Sequence, residues 1–595
     1  MIGQTRVDAY WRDPGKHLAG TMGDGASYAR IYSTRQPIFS MRSPSPMARP
    51  FPRAAAHASL LAVATAVCSA CAAAQASAPA PARAAQPAQP TRPALVVFVT
   101  VDQLRADYLE RFGPQFTGGF KRLLAGGSVF RNGVHDHAIT ETAPGHAATM
   151  SGRFPVHTGI MMNSQGVNGV QNAQVLGGRA NESASPERFR GTTLTDWLRS
   201  ANPATKWLSV SRKDRGAILP IGKSKGDVYW YYGSGEFTSS KYYMDTLPTW
   251  VQAFNAARYP QRYAGQLWEL LLRSDAYPEP DTVGVEATAS GGDVTFPHPV
   301  PTDRARAAAI FPNYPWMDEV TIRFALRGVR AMALGADPGR TDVLAVSLST
   351  LDAVGHRFGP DSREVHDHML RLDRYLGAFL DSLEAIRGPG RVVLALTSDH
   401  GVAPFPTLKS SLYPNGDAKR VSLDLPWRAF QQRLADMGID STAVAIDEGL
   451  VVVVKPDAFS SARVNVDALL SGLGRDFMRV QGVLRADLMS SLAKADTVRD
   501  TIARRWLHMF SPQSNVKLIV TLTPYSYWLP VTYATHGSPH DADANVPVLF
   551  WGAGVTPGQH AEVVRVVDMA PTLAAILGVK PSEVLDGRVL VQVVR

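Results

Sequence analysis

Five short runs of apolar, largely β-branched residues restrict this chain to one class of fold. They are Leu95–Val101, Asp342–Leu348, Val392–Leu396, Leu450–Val454 and Val546–Phe550. Runs that are apolar at nearly every position, rather than at every second one, suit strands covered on both faces. Between the second and third runs, Val365, Met369, Leu372, Leu376, Phe379 and Leu383 recur at steps of three and four residues, which predicts one amphipathic helix. Strands alternating with helices predict an α/β fold with a doubly wound, largely parallel central sheet flanked by helices. Two stretches break the alternation. Residues 164–340 are rich in Trp, Tyr, Gly and Pro, and residues 403–530 carry strand and helix patterns of their own. Both are read as insertions that cap a site.

The folded unit is expected to span 94–595. Ahead of it, residues 47–76 read as a signal peptide. Met47–Arg53 is a short basic segment, Ala54–Ala70 is an apolar run, and Ala74-Gln75-Ala76 forms a small-residue cleavage pattern. The apolar run is short for a membrane span, so the mature protein is expected to lack one. A lipid anchor at Cys71 fits poorly, because Cys68 stands where leucine or valine is wanted. Residues 77–93 form a Pro/Ala linker, and residues 1–46 read as a non-native or disordered extension that would leave the signal peptide internal. The leader implies a periplasmic or secreted protein. It also contains both cysteines, Cys68 and Cys71, so removing it leaves neither a disulfide nor a thiolate metal site.

The formal charge of +9 does not indicate a nucleic-acid binder. Residues 1–92 hold ten Lys or Arg and three acids and so contribute +7 of it, which leaves the folded body nearly neutral.

Three of the apolar runs lead into carboxylates and imidazoles. The first ends at Asp102, the second leads to Asp352 and His356, and the third ends at Asp399-His400; His536 stands further on. Open α/β sheets bind ligands at the carboxyl ends of their strands. Asp352 and His356 are four residues apart, so one helical turn points both the same way. Any one of these residues alone has a commonplace structural explanation, but together they repeat one position on several strands. Carboxylates with imidazoles and no thiolate suit catalytic zinc, and six such ligands are too many for one tetrahedral ion and about right for two.

Val101-Asp102-Gln103, Thr140-Glu-Thr142-Ala-Pro-Gly-His146, Asp352-x3-His356, Ser398-Asp399-His400-Gly401, His536-Gly537 and Val567-Asp-Met-Ala-Pro-Thr-Leu573 resemble the ordered signature of the alkaline phosphatase superfamily. The branch resembled is that of the type I phosphodiesterases/nucleotide pyrophosphatases and the phosphate-irrepressible alkaline phosphatases. The resemblance spans about residues 95–585. It implies an alkaline-phosphatase-like fold with two zinc ions, one held by Asp352, His356 and His536, the other by Asp102, Asp399, His400 and the Thr142 oxygen. It implies that Thr142 is the nucleophile and that Asn163 donates to a phosphoryl oxygen. His146, His135, His137 and His540 are then structural neighbours.

Thr142 precedes a turn that could start a helix through Met150, whose N-terminus would favour an anionic phosphoryl group. Lys213 and Arg215 share a face if the chain there is extended, and they resemble the Lys-x-Arg pair of the phosphate-irrepressible enzymes. A sulfatase would carry Cys or Ser in a C/S-x-P-x-R motif; Thr142-Ala-Pro-Gly-His146 has no such arginine. The expected function is therefore a zinc phosphomonoesterase acting through a phosphothreonine on small phosphate monoesters. A phosphodiesterase or nucleotide pyrophosphatase, and a non-catalytic phosphate- or metal-binding protein, are the alternatives. Oligomeric state is not legible.

Overall fold

The computed structural model of the protein describes residues 92–169, 173–282, 293–406 and 418–595. The extension at 1–46, the leader at 47–76 and nearly all of the linker lie outside them. The strands that concern the site are β1 (Leu95–Val101), β2 (Ser128–Val134), β3 (Trp207–Ser211), β4 (Asp227–Tyr232), β5 (Glu236–Thr238), β6 (Asp342–Leu348) and β7 (Val392–Thr397). Four more, β8 (Val444–Asp447), β9 (Leu450–Val453), β10 (Val483–Leu488) and β11 (Val516–Leu522), are followed by β12 (Asn545–Gly552), β13 (Gly558–His560) and β14 (Val564–Arg565). The helices used below are α1 (Thr142–Ser151), α2 (Asp214–Ile218), α3 (Trp316–Ala331), α4 (Thr350–Phe358) and α5 (Arg363–Arg387).

The central sheet runs β13-β2-β12-β7-β1-β6-β3-β4-β5, with β14 also paired to β2. Strands β7, β1, β6, β3 and β4 are parallel; β12 is antiparallel to both β7 and β2. Successive residues of β1 point to opposite faces. Leu95, Val97, Val99 and Val101 pack in a core that includes Leu372, Leu376 and Phe379 of α5. Val96 and Phe98 pack on the other side with Ala143, Ala147 and Met150 of α1. Burial on both faces is why β1 is apolar at every position but Thr100, and each such apolar side chain stabilises by about 1.5–3 kcal/mol. The six apolar residues expected on one face of a helix all lie buried along α5.

Two expectations need correction. Residues 164–340 are not an insertion throughout, because β3, β4 and β5 extend the central sheet. Their aromatic composition, from Trp207 to the Tyr229-Trp230-Tyr231 run, hid an ordinary strand signal. Leu450–Val453 does not belong to the central sheet. It is the second strand of a separate antiparallel sheet, β8-β9-β11-β10, with a core of its own within 403–530. A local apolar run cannot identify its sheet. No described helix is long and apolar enough to cross a membrane.

Candidate active site

Strands β7, β1 and β6 lie side by side, and their C-terminal ends deliver the acidic residues to one place. Asp102 directly follows β1. Gln103 then turns the chain with φ +67°, a left-handed conformation uncommon outside glycine. Its backbone N–H donates to Asp399 Oδ1 at 3.2 Å, and its Nε2 donates to Asp352 Oδ1 at 3.1 Å. One residue, next to Asp102 in the chain, thus ties together the Asp399 and Asp352 carboxylates. After β7, Ser398 Oγ accepts from Leu104 N–H at 2.8 Å and donates to the His400 carbonyl at 2.7 Å, which fixes the Asp399-His400 turn. After β6, α4 starts at Thr350, whose N–H and hydroxyl donate to Asp318 of α3 at 3.2 and 2.9 Å. The helical turn from Asp352 to His356 brings His356 Nε2 within 3.1 Å of Asp352 Oδ1.

The three imidazoles share one orientation. Nδ1 of His356, His400 and His536 meets the carbonyls of Ala534, Gly401 and Thr140 at 2.6, 2.9 and 2.7 Å. A neutral ring donating from Nδ1 keeps its lone pair on Nε2, the arrangement of a metal ligand. His400 Nε2 lies 3.4 Å from Asp102 and 3.5 Å from Asp399. His536 Nε2 lies 3.6 Å from Asp352. Asp102, Asp399 and His400 form one group with ligand atoms within 4.8 Å of each other; Asp352, His400 and His536 form a second. The first coincides with an expected set. The other expected set is gathered in part, with His356 joined through Asp352 and His400 standing where the groups meet.

Charge in this pocket is out of balance. Asp102 and Asp399 are wholly buried and Asp352 nearly so. Burial, reinforced by the charges of Asp352 and Asp399, pushes Asp102 up to about 7. Burial also acts to raise Asp352, but Lys213, His356 and His536 outweigh it and hold that carboxyl well below the usual range. Asp399 is held low against its burial chiefly by His400 and His146. Burial drives the His400 imidazole down, against the pull of Asp399. Lys213 Nζ sits 2.6 Å from Asp102 and 2.7 Å from Asp352. Lys213 and the Arg212 guanidinium, 3.4 Å from Asp352, do not offset three carboxylates, and Asp102 Oδ1 receives no hydrogen bond. Buried carboxylates in that condition call for cations. With imidazole lone pairs beside them and no sulfur, they fit zinc-type divalent ions.

Thr142 is the first residue of α1 and is buried, its hydroxyl 3.2 Å from Lys213 Nζ and 3.4 Å from His400 Nε2. The helix approaches so closely that a Cβ at Gly145 would collide with the Asp399 carbonyl, so glycine is required there. Asn163 Oδ1 accepts from the Ala143 N–H at 2.8 Å, and its own N–H donates to Glu141 Oε2 at 2.5 Å. With the amide oxygen committed to the helix terminus, Nδ2 is the end left to donate to a phosphoryl oxygen.

Lys213 and Arg215 do not lie in one extended segment. Lys213 is extended and caps α2, whereas Arg215 is already in the helix. Asp214 starts α2, and the Arg215 N–H donates to its Oδ1 at 2.7 Å. The structure brings Lys213 to Thr142. Arg215 stands nearby, where its charge partly opposes the burial that raises the Glu141 carboxyl, and its Nε is buried without a hydrogen bond.

Several residues at the site escaped the sequence reading. Gln103 and Glu141 adjoin named residues, and nothing but adjacency marks them. Arg212 donates to the Ser349 carbonyl at 2.9 Å and lies 3.4 Å from Asp352. His146, expected to be a neighbour, lies 3.1 Å from Asp399 Oδ2, 2.9 Å from the Thr142 carbonyl and 2.9 Å from Ser347 Oγ, so it bears on both nucleophile and ligand. His135 and His540 meet the carbonyls of Ser398 and Leu522, each at 2.8 Å. His137 is buried with no partner at either ring nitrogen.

Residues 96–464 match the family of type I phosphodiesterases/nucleotide pyrophosphatases. Alkaline phosphatase PhoV of Synechococcus elongatus is 34% identical over 526 residues, covering 84% of this chain and 93% of that protein. A Myroides odoratus protein named a calcium-transporting ATPase is 31% identical over 511 residues, covering 82% and 92%. The crystal structure of wild-type alkaline phosphatase PafA superposes with a TM-score of 0.78 at 27% identity, covering 85% of this chain and 99% of that one.

Proposed function

The chain belongs to the type I phosphodiesterase/nucleotide pyrophosphatase family, and on that premise we propose that it is an alkaline phosphatase, a phosphomonoesterase acting through Thr142. The names of its relatives share chemistry at a phosphoryl group, and two of the three are alkaline phosphatases. The observation that carries the monoester reading is Lys213, whose ammonium lies 3.2 Å from the Thr142 hydroxyl. A phosphoryl group attacked by that hydroxyl has its non-bridging oxygens within reach of the ammonium. A monoester presents three such oxygens and up to two charges; a diester presents two and one. The third oxygen needs further donors, and Lys213 with the Arg215 fork supplies them.

In this reading Asp352, His356 and His536 would hold one zinc ion, and Asp102, Asp399 and His400 the other, beside Thr142. The ions supply positive charge that eases loss of the threonine proton and offsets charge on the leaving oxygen. Thr142 Oγ forms the bond to phosphorus as the ester P–O bond breaks and the alcohol departs. Water then cleaves the phosphothreonine and restores Thr142. Asn163 Nδ2 donates to a non-bridging oxygen, and the N-terminus of α1 favours the phosphoryl charge. The leader at 47–76 supports an exported enzyme.

The test is the relative hydrolysis of p-nitrophenyl phosphate and bis-p-nitrophenyl phosphate by zinc-loaded protein. The monoester is expected to have the higher kcat/KM by at least about a hundredfold, the worth of one well-placed donor. Equal rates, or a preference for the diester, would make the protein a phosphodiesterase, and binding of phosphate with no turnover of either would make it a binding protein.

A further inference from the structure

The side of the site away from Lys213 is a cavity of about 270 Å³. His356 and His536 open onto it, with Asn163 and Glu141; Asp102, Asp399 and His400 do not. Its far wall includes Trp506, Tyr527 and Trp528 of the segment 403–530, with Tyr533 just beyond it. In-line displacement sends the leaving oxygen away from the attacking Thr142 Oγ, toward the Asp352–His356–His536 side. The alcohol half of the ester therefore enters this cavity. The volume is ample, since about 150 Å³ already accommodates benzene.

The charge of the cavity is one-sided. No lysine or arginine lines it among the described residues, whereas Glu141, Glu448 and Asp543 do. Arg212, Lys213 and Arg215 all come from the segment around the start of α2, on the phosphoryl side. Glu448 is held there by an unusual backbone. It and Gly449 form the two-residue turn between β8 and β9, with φ +43° and +80°. Both positions of such a turn need positive φ, which favours Asn, Asp or Gly first and glycine second. A glutamate in the first position is strained, and strain of this kind gathers at functional sites. Glu448 is exposed to solvent, and desolvation together with the neighbouring Glu141 and Asp447 pushes its carboxyl upward, with no hydrogen bond to relieve it.

We propose that Glu448 makes this cavity selective for the charge of the departing alcohol, favouring monoesters of ammonium-bearing aromatic alcohols and disfavouring those with a further anionic group. This rests on the phosphomonoesterase reading and adds a substrate class to it. The turn places a carboxylate without a partner across an aromatic cavity from the phosphoryl grip. An ammonium on the alcohol pairs with that carboxylate and packs against aromatic faces. A carboxylate or phosphate on the alcohol meets Glu448 and Glu141 with no lysine or arginine among the described lining residues to offset it.

The test uses three esters with phenols of similar acidity: 4-(2-aminoethyl)phenyl, 4-ethylphenyl and 4-(2-carboxyethyl)phenyl phosphate, at about pH 8.5, where carboxylates are ionised and the amine is cationic. Zinc-loaded wild type is expected to give kcat/KM in the order amine, ethyl, carboxylate, spanning about tenfold or more, with the difference mainly in KM. Glu448→Gln should compress the amine-to-carboxylate ratio several-fold, and Glu448→Lys should invert it. Glu448→Asn, which suits the left-handed position, checks the turn: it should compress the ratio as Gln does without lowering Tm. A flat series in wild type, or a ratio unchanged in all three variants, overturns the proposal while leaving the phosphatase reading intact. No hydrolysis of the ethyl ester would remove both.

Discussion

Thr142→Ala is expected to lower monoester kcat/KM by roughly four powers of ten or more, the scale seen when a covalent nucleophile is removed. The loss should be specific. Thr142 is the first residue of α1, where alanine is well tolerated. Its side chain supplies at most one zinc ligand, and the carboxylates and imidazoles stay in place. Zinc content by elemental analysis and the thermal midpoint should therefore remain close to wild type. Thr142→Ser should retain most of the activity, because it keeps the hydroxyl 3.2 Å from Lys213 and 3.4 Å from His400. If Thr142→Ala turned over at near-normal rates with zinc bound, water rather than the threonine would be the nucleophile.

The second large effect is expected at the phosphoryl grip. Lys213→Ala combined with Arg215→Ala should reduce monoester kcat/KM by about 10⁴–10⁶, since each desolvated donor to a transition-state oxygen is worth about 10²–10³. Diester kcat/KM should fall by less than about tenfold, because the third oxygen that these groups serve is missing from a diester. Lys213→Ala alone should carry the larger share, since its ammonium contacts Thr142, Asp102 and Asp352. Arg215 acts from the first turn of α2, further from the nucleophile. An equal loss on both substrates would mean that the pair maintains the pocket rather than gripping phosphate.

How much of this was legible in the sequence depended on how local each signal was. Asp102 and Asp399-His400 end apolar runs that are buried on both faces, and a strand end is a place that sequence identifies. Asp352 and His356 were paired by helical spacing alone, and α4 bears them at that spacing. Lys213 and Arg215 stand two residues apart but do not share an extended face, because α2 starts at Asp214 and includes Arg215. The rest required tertiary information. Gln103 joins Asp352 and Asp399 only because β7, β1 and β6 are neighbours. His146 reaches Asp399 only because α1 packs against that turn at Gly145. Glu448 faces His536 from a hairpin of a separate sheet, and nothing in Asp447-Glu448-Gly449 announces that cavity. The run at Leu450 signals a strand but not its sheet, and the aromatic strands β3 and β4 lack the continuous aliphatic run that marks β1.

The central claim is that the phosphoryl group passes through Thr142, and the stereochemistry at phosphorus tests it most directly. Zinc-loaded enzyme would transfer the phosphoryl group of an isotopically chiral monoester to an alcohol acceptor, and the configuration of the product would be read by phosphorus NMR. Attack by Thr142 followed by attack of the acceptor makes two in-line displacements, so net retention is expected whether or not the phosphothreonine accumulates. Net inversion would mean a single displacement and would contradict the assignment of Thr142 as nucleophile.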